Sequence, residues 1–142
     1  MLFRSSSGSG TTVHLSGALF ATMANIDILH VPYRGSAPAV QDMLADQVDM
    51  IFDNIPGSLA QMAGGRVWGL AVTGTEQTPL APGVPTVAAS GLPGYELIAI
   101  YGLFAPAKTP PAIIASLNKV SREVLAQADV KERFFKIGRA HV

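Results

Sequence analysis

The sequence predicts an α/β domain organised on a parallel sheet. Segments with helical periodicity alternate with short apolar segments of strand length, the order that a parallel sheet produces. The 142 residues include 14 Gly and 10 Pro, so the elements are short and the turns many. Loops rich in small and hydroxyl residues fall just before the helices, where helix caps belong.

In order, residues 11–24 form a helix, because Leu15, Leu19 and Met23 recur every four residues. A loop of Ser, Gly and Thr precedes it from residue 6. Residues 27–31 form a short strand closed by Pro32, and residues 33–36 a loop before a second helix at 37–45. Ala37, Val40 and Leu44 give that helix its apolar face. Residues 48–52 are a second strand, and residues 58–63 a third helix stopped by Gly64 and Gly65. Residues 67–72 are almost wholly apolar and are expected to be a strand buried on both faces. Three prolines make 78–85 a loop, and 86–90 suits one helical turn. Residues 95–104 read as a long apolar strand. The last helix starts at Thr109-Pro110-Pro111, with Ile113, Leu117, Val120 and Val124 on one face.

Composition removes several function classes. Ten Lys plus Arg balance ten Asp plus Glu, so the net charge is zero and no basic surface for nucleic acid or an anionic membrane is expected. Charged residues are only 14 % and the mean hydropathy is +0.33, which excludes an intrinsically disordered chain. No apolar run is long enough to cross a membrane, so no membrane insertion is expected. The absence of cysteine removes disulfides, thiolate metal sites and cysteine nucleophiles together. His14 and His30 lack a third ligand at metal-binding spacing, so no metal and no cofactor is expected. There is no nucleophile-elbow or P-loop motif, and no catalytic residue is assigned.

Three loops stand where open α/β sheets bind ligands: residues 7–12, 32–36 and 53–56. In the first, Ser7, Ser9, Gly10, Thr11 and Thr12 combine close backbone approach with hydroxyl donors and lead into a helix N-terminus. Such an end takes a carboxylate or phosphate without a cationic side chain. A flexible Ser/Gly linker is the alternative. Tyr33, Arg34 and Gly35 offer a phenol, a guanidinium able to pair with a carboxylate, and a permissive backbone position; an exposed turn is the alternative. Asp53 could accept from a ligand or cap the following helix.

Taken together, several segments resemble one family. They are Gly8-Ser9-Gly10-Thr11-Thr12-Val13-His14-Leu15, Asp27-Ile28-Leu29-His30-Val31-Pro32-Tyr33-Arg34-Gly35-Ser36, and Gln47-Val48-Asp49-Met50-Ile51-Phe52-Asp53-Asn54. Leu70-Ala71-Val72-Thr73-Gly74, Gly91-Leu92-Pro93-Gly94-Tyr95 and Gly102-Leu103-Phe104-Ala105-Pro106 continue the series. In order and spacing, residues 6–135 resemble the Bug receptors, the extracytoplasmic substrate-binding proteins of tripartite tricarboxylate transporters. The resemblance implies a lobe of the periplasmic-binding-protein type II class, no enzyme activity, a small carboxylate ligand, membrane permease subunits as partners and a periplasmic location. It implies that 6–98 are the second ligand-binding lobe and 99–135 a return segment of a first lobe largely missing from this fragment. It further implies that residues 7–12 and His14 bind the carboxylate, with Tyr33, Arg34, Gly35 and Asp53 lining the same cleft.

The ends look foreign. Residues 1–5 and 137–142 fit neither the helix and strand pattern nor the family, and Leu-Phe-Arg-Ser and Ile-Gly-Arg-Ala-His-Val are translations of common sequencing adapters. Both ends are therefore expected to be non-native. Two other function classes stand beside the receptor: a fragment of a metabolic α/β enzyme acting on an anion, and a ligand-sensing regulatory domain. A Ser or Asp within hydrogen-bond reach of His14 or His30 would favour the enzyme.

Overall fold

The computed structural model describes residues 2–100 and 102–137 and divides the chain into two compact units, Met1–Ala99 and Ile100–Val142. In the first unit, β1 (Leu2–Ser6) leads into α1 (Thr12–Ala24), β2 (Ile28–Pro32), α2 (Ser36–Leu44), β3 (Met50–Ile51) and α3 (Ile55–Ala63). The strands form one parallel sheet in the order β2-β1-β3. Leu2 pairs with Ile28 and Ser6 with Pro32 on one side, and Arg4 pairs with Met50 on the other.

The central strand lies in the segment expected to fit no element. Its apolar content is too low to read as a strand, yet its backbone is paired on both edges: Tyr33 N–H donates to Ser6 O, and Asp49 and Phe52 N–H donate to Phe3 O and Ser5 O. Ser5 and Ser6 are completely buried, and their small side chains suit a strand with neighbours on both edges. Of the opposite end, residues 138–142 lie outside the described residues; residue 137 closes a helix.

The local helix signals hold. Thr11 caps α1 by accepting from His14 N–H at 3.3 Å, and Asn25 ends it in the left-handed region. The third helix starts earlier than expected, at Ile55, because Pro56 occupies its first turn. The later strands do not form as expected. From 67–72 only Val72 pairs, in an isolated parallel bridge with Thr86, while Trp68 is 89 % exposed and Leu70 is exposed too. Residues 95–104 are irregular, apart from Tyr101, which lies outside the described residues. An apolar run becomes a strand only where another backbone lies along its edge.

The core of this unit gathers Val13, Ile28, Val40, Val48, Val72, Leu80, Val87 and Tyr95. Tyr95 is 1 % exposed; its hydroxyl donates to Ser16 O at 3.0 Å, and Phe20 meets its ring edge-on at 6.5 Å. Arg4 is the misfit. It is buried, donates through Nη1 to His14 O at 3.3 Å and leaves its Nε without a partner. A Cβ on Gly17 would overlap its guanidinium, so α1 passes over Arg4 only because residue 17 has no side chain.

The second unit consists of a loop, α4 (Pro111–Ala126) and α5 (Ala128–Ile137). Ile113, Ile114, Leu117, Val120 and Val124 on α4 are exposed, as are Leu103 and Phe104 before it. The ion pair Lys119–Glu123 at 3.9 Å lies on the exposed surface of α4 and contributes little.

Two stability measurements follow from this packing. Tyr95→Phe removes the bond to Ser16 and is expected to cost about 1 kcal/mol in urea denaturation; an unchanged midpoint would show that the hydroxyl contributes nothing. Arg4→Met replaces a partly satisfied buried cation by an apolar chain of similar length. It is expected to raise stability by about 1–3 kcal/mol, whereas a loss would mean that the bond to His14 O outweighs the desolvation of the charge.

Candidate functional site

Parallel pairing places the carboxyl ends of β1, β2 and β3 at one edge of the sheet, and the loops that leave them run through residues 7–11, 33–35 and 52–54. The first two loops are tied by Tyr33 N–H donating to Ser6 O at 3.0 Å. The second and third are tied by Ser36 Oγ donating to Asp53 Oδ2 at 2.5 Å. The three loops singled out in the sequence therefore lie side by side.

The first loop is a tight turn. Thr11 Oγ1 donates to Gly8 O at 2.7 Å, and Gly8 N–H and Ser6 Oγ are 3.3 Å apart. Gly10 has φ +78, a left-handed conformation that costs glycine little, and no other atom would crowd a Cβ there. Gly10 N–H donates to His14 Nδ1 at 3.1 Å. His14 N–H is capped by Thr11, but Thr12 and Val13 in the first turn have no acceptor within the helix. Ser9 and Gly10 are exposed, and Ser7, Thr11, Thr12 and His14 are half-buried.

Asp53 is used internally. Its Oδ2 also accepts from Ser58 Oγ at 3.2 Å, and its Oδ1 is buried without a partner. The carboxylate thus sits between the first turns of α2 and α3, where helix dipoles favour a negative charge. A Cβ on Gly57 would overlap both Asp53 and Ser36, so the arrangement needs glycine there. Tyr33 is also committed: its hydroxyl donates to Asp42 Oδ2 at 2.7 Å, which with burial raises its pKa above the usual value. Arg34 is exposed with no hydrogen bond or ion pair among the described residues, and Gly35 N-caps α2 with φ +115. Of the three helix N-termini at this edge, that of α1 has no carboxylate bonded to it among the described residues, and Ser9 and Gly10 just before it are exposed.

From the sequence, His30 stood only as a possible base, and Ser6, Ser36 and Ser58 were not among the site residues. Ser6 Oγ and His30 Nε2 are 2.7 Å apart, Ser36 and Ser58 hold Asp53, and the His14 and His30 rings stack at 4.2 Å. For Ser36 and Ser58 the signal was a hydroxyl residue in the first turn of a helix; for Ser6 and His30 nothing local pointed to the pair. The pair meets the distance criterion for a nucleophile and base. However, Ser6 is fully buried and shares its hydroxyl with Gly8, and no carboxylate orients His30 among the described residues. It anchors the loop to the sheet. Among the described residues no group of three or more His, Asp or Glu could hold a metal, and no helix is long and apolar enough to cross a membrane.

Comparison with known proteins gives a consistent result. The model of the tripartite tricarboxylate transporter family receptor matches residues 2–140. A protein from the tcbD-tcbE intergenic region of Pseudomonas sp. strain P51 is 43 % identical, over 94 % of this chain and 40 % of its own length. Among solved structures, an adipate-bound protein of R. palustris is 36 % identical with a TM-score of 0.82, covering 96 % of this chain and 46 % of that one. MatC from Rhodopseudomonas palustris with bound malate is 33 % identical with a TM-score of 0.81, over 96 % and 47 %. The chain thus spans less than half the length of each of these proteins, and its fold is that of the periplasmic binding proteins among its structural neighbours.

His30 makes stability depend on pH. Burial first, and then the charges of Arg4 and His14, hold the His30 pKa below the usual 6.5. The unfolded chain therefore takes up a proton that the folded chain resists, so the His30 contribution is complete above about pH 6.5 and is lost as pH falls towards the lowered value. The urea midpoint is expected to be lower at pH 5.5 than at pH 7.5, with a smaller difference in His30→Asn. An equal difference in both proteins would assign the effect to other groups.

Proposed function

The chain belongs to the tripartite tricarboxylate transporter receptor family, and on that premise we propose that it is part of a periplasmic receptor capturing a small carboxylate for membrane permease subunits. Residues 6–98 are read as a ligand-binding lobe, and 99–135 as a segment returning to a first lobe. The exposed apolar side chains of α4, with Leu103 and Phe104, fit a segment whose packing partner lies in that lobe.

The observation that carries this reading is the exposed loop at the N-terminus of α1, on the carboxyl edge of the sheet. Ser7, Ser9, Gly10 and Thr12 supply backbone and hydroxyl donors to one carboxylate, Thr11 shapes the turn with its hydroxyl and N–H on Gly8 O, and His14 flanks them. Arg34 is free to swing towards the ligand, with Gly35 allowing close approach. Tyr33 and Asp53 line the cleft mainly by shaping it, because their polar groups are engaged by Asp42 and by Ser36 and Ser58. Such a site needs no excess of cationic residues, which agrees with a net charge of zero. The task is binding without turnover. Related proteins hold adipate and malate, which makes dicarboxylates the first ligands to test.

Calorimetry with malate, adipate, citrate and an uncharged diamide tests the reading. The acids are expected to bind, with Kd of about 1 mM, or −4.1 kcal/mol, and the diamide is expected not to bind. Failure of all three acids, or consumption of any of them, would overturn it.

A further inference from the structure

In the first loop, the Gly10 N–H is held by a side chain that can give it up. It donates to His14 Nδ1 at 3.1 Å, in an exposed position at the mouth of the loop. Nδ1 can accept only while it carries a lone pair, so this bond requires the neutral ring with its proton on Nε2. Protonation of Nδ1 turns the acceptor into a donor, ending the bond and leaving two donors where there was one donor–acceptor pair.

We propose that His14 is a proton-dependent stand-in for the ligand: neutral, it occupies the Gly10 donor, and protonated, it releases that donor to a carboxylate and adds its own Nδ1–H. This inference rests on the carboxylate-site reading of residues 7–12. The proton comes from solvent and stays on the ring while the anion is bound. Two other groups bear on the ring. His30 from β2 stacks on it at 4.2 Å with an interplanar angle of 23°, and Arg4 from β1 donates to the His14 carbonyl. Within α1 itself no other side chain is titratable. A carboxylate bound at the Gly10 donor places a negative charge beside the ring and so favours the imidazolium. Anion and proton therefore favour each other, and the coupling is reciprocal. The same balance gives selectivity, because an uncharged ligand of similar shape neither displaces the ring nor draws the proton.

The test is calorimetry of the whole chain with malate at pH 8.0, 7.0 and 6.0, in two buffers of unlike ionisation enthalpy, neither of them a carboxylate or phosphate. Malate is expected to bind about tenfold more tightly at pH 6.0 than at pH 8.0, the worth of one charge-assisted bond, with a buffer-dependent heat showing proton uptake. His14→Asn places an amide oxygen near the Nδ1 position and cannot titrate, so its affinity is expected to be flat with pH and its binding free of proton uptake. His30→Asn is expected to keep the pH dependence. If His14→Asn does not fold by circular dichroism, His14→Gln takes its place. Malate binding without uptake, or a pH dependence that survives in the His14 variant, overturns the inference and leaves the carboxylate reading intact. Absence of binding by malate and adipate at every pH overturns both.

Discussion

Backbone pairing of Leu2–Ser6 with a neighbour on each edge is the constraint that places everything else in the first unit. Because both neighbours run parallel to it, all three strands end on one side, and each passes into a loop that opens a helix. The site is a consequence of that pairing. Tyr33 N–H reaches Ser6 O because β2 ends in register with β1, and Asp53 reaches Ser36 because β3 ends just before it. A strand in the middle of a sheet also exposes no edge, so its side chains can be as small as Ser5 and Ser6 without loss of order.

The electrostatics at this end are those of backbone dipoles more than of formal charges. Asp53 is held between the first turns of α2 and α3 by two serine hydroxyls, so the positive ends of two helices are balanced from within. At the third helix end, that of α1, the acceptors among the described residues are neutral, among them a threonine hydroxyl and an imidazole nitrogen. Neutral acceptors are exchanged for a carboxylate at little cost, since a charge-assisted bond is the stronger one. Arg4 lies outside this economy, as a buried cation whose Nε has no acceptor. Its desolvation lowers its own pKa, and its charge adds to the burial that holds the His30 pKa down.

How much of this was legible varied with the range of the interaction. The α1 periodicity, the Thr11 cap and the turn at Gly10 are local, and each could be read from a few neighbouring residues. Family membership was legible from ordered motifs along the chain, and the family match spans residues 2–140. Leu2–Ser6 was illegible because its order comes from hydrogen bonds to β2 and β3, while its own pattern of apolar, cationic and hydroxyl residues favours no element. The opposite error arose at 67–72 and 95–104, whose apolar residues read as strands. Among the described residues, only Val72 finds a bridging partner there, and Leu97 N–H bonds to Thr73 O without extending a ladder.

The amino-acid sequence alone determined the helices of the first unit, the three loops at their starts and the kinship with carboxylate receptors, because helical period, caps and motifs reside in short stretches of chain. The tertiary structure alone decided which residues meet. Ser6 with His30, His14 with Gly10 and with His30, and Asp53 with Ser36 are pairings set by strand register and helix placement. It also decided that Tyr33 and Asp53 spend their polar groups inside the protein while Arg34 is exposed without a bonded partner among the described residues. A side chain's chemistry is written in its residue type, but whether that chemistry is available depends on which partner folding has already given it.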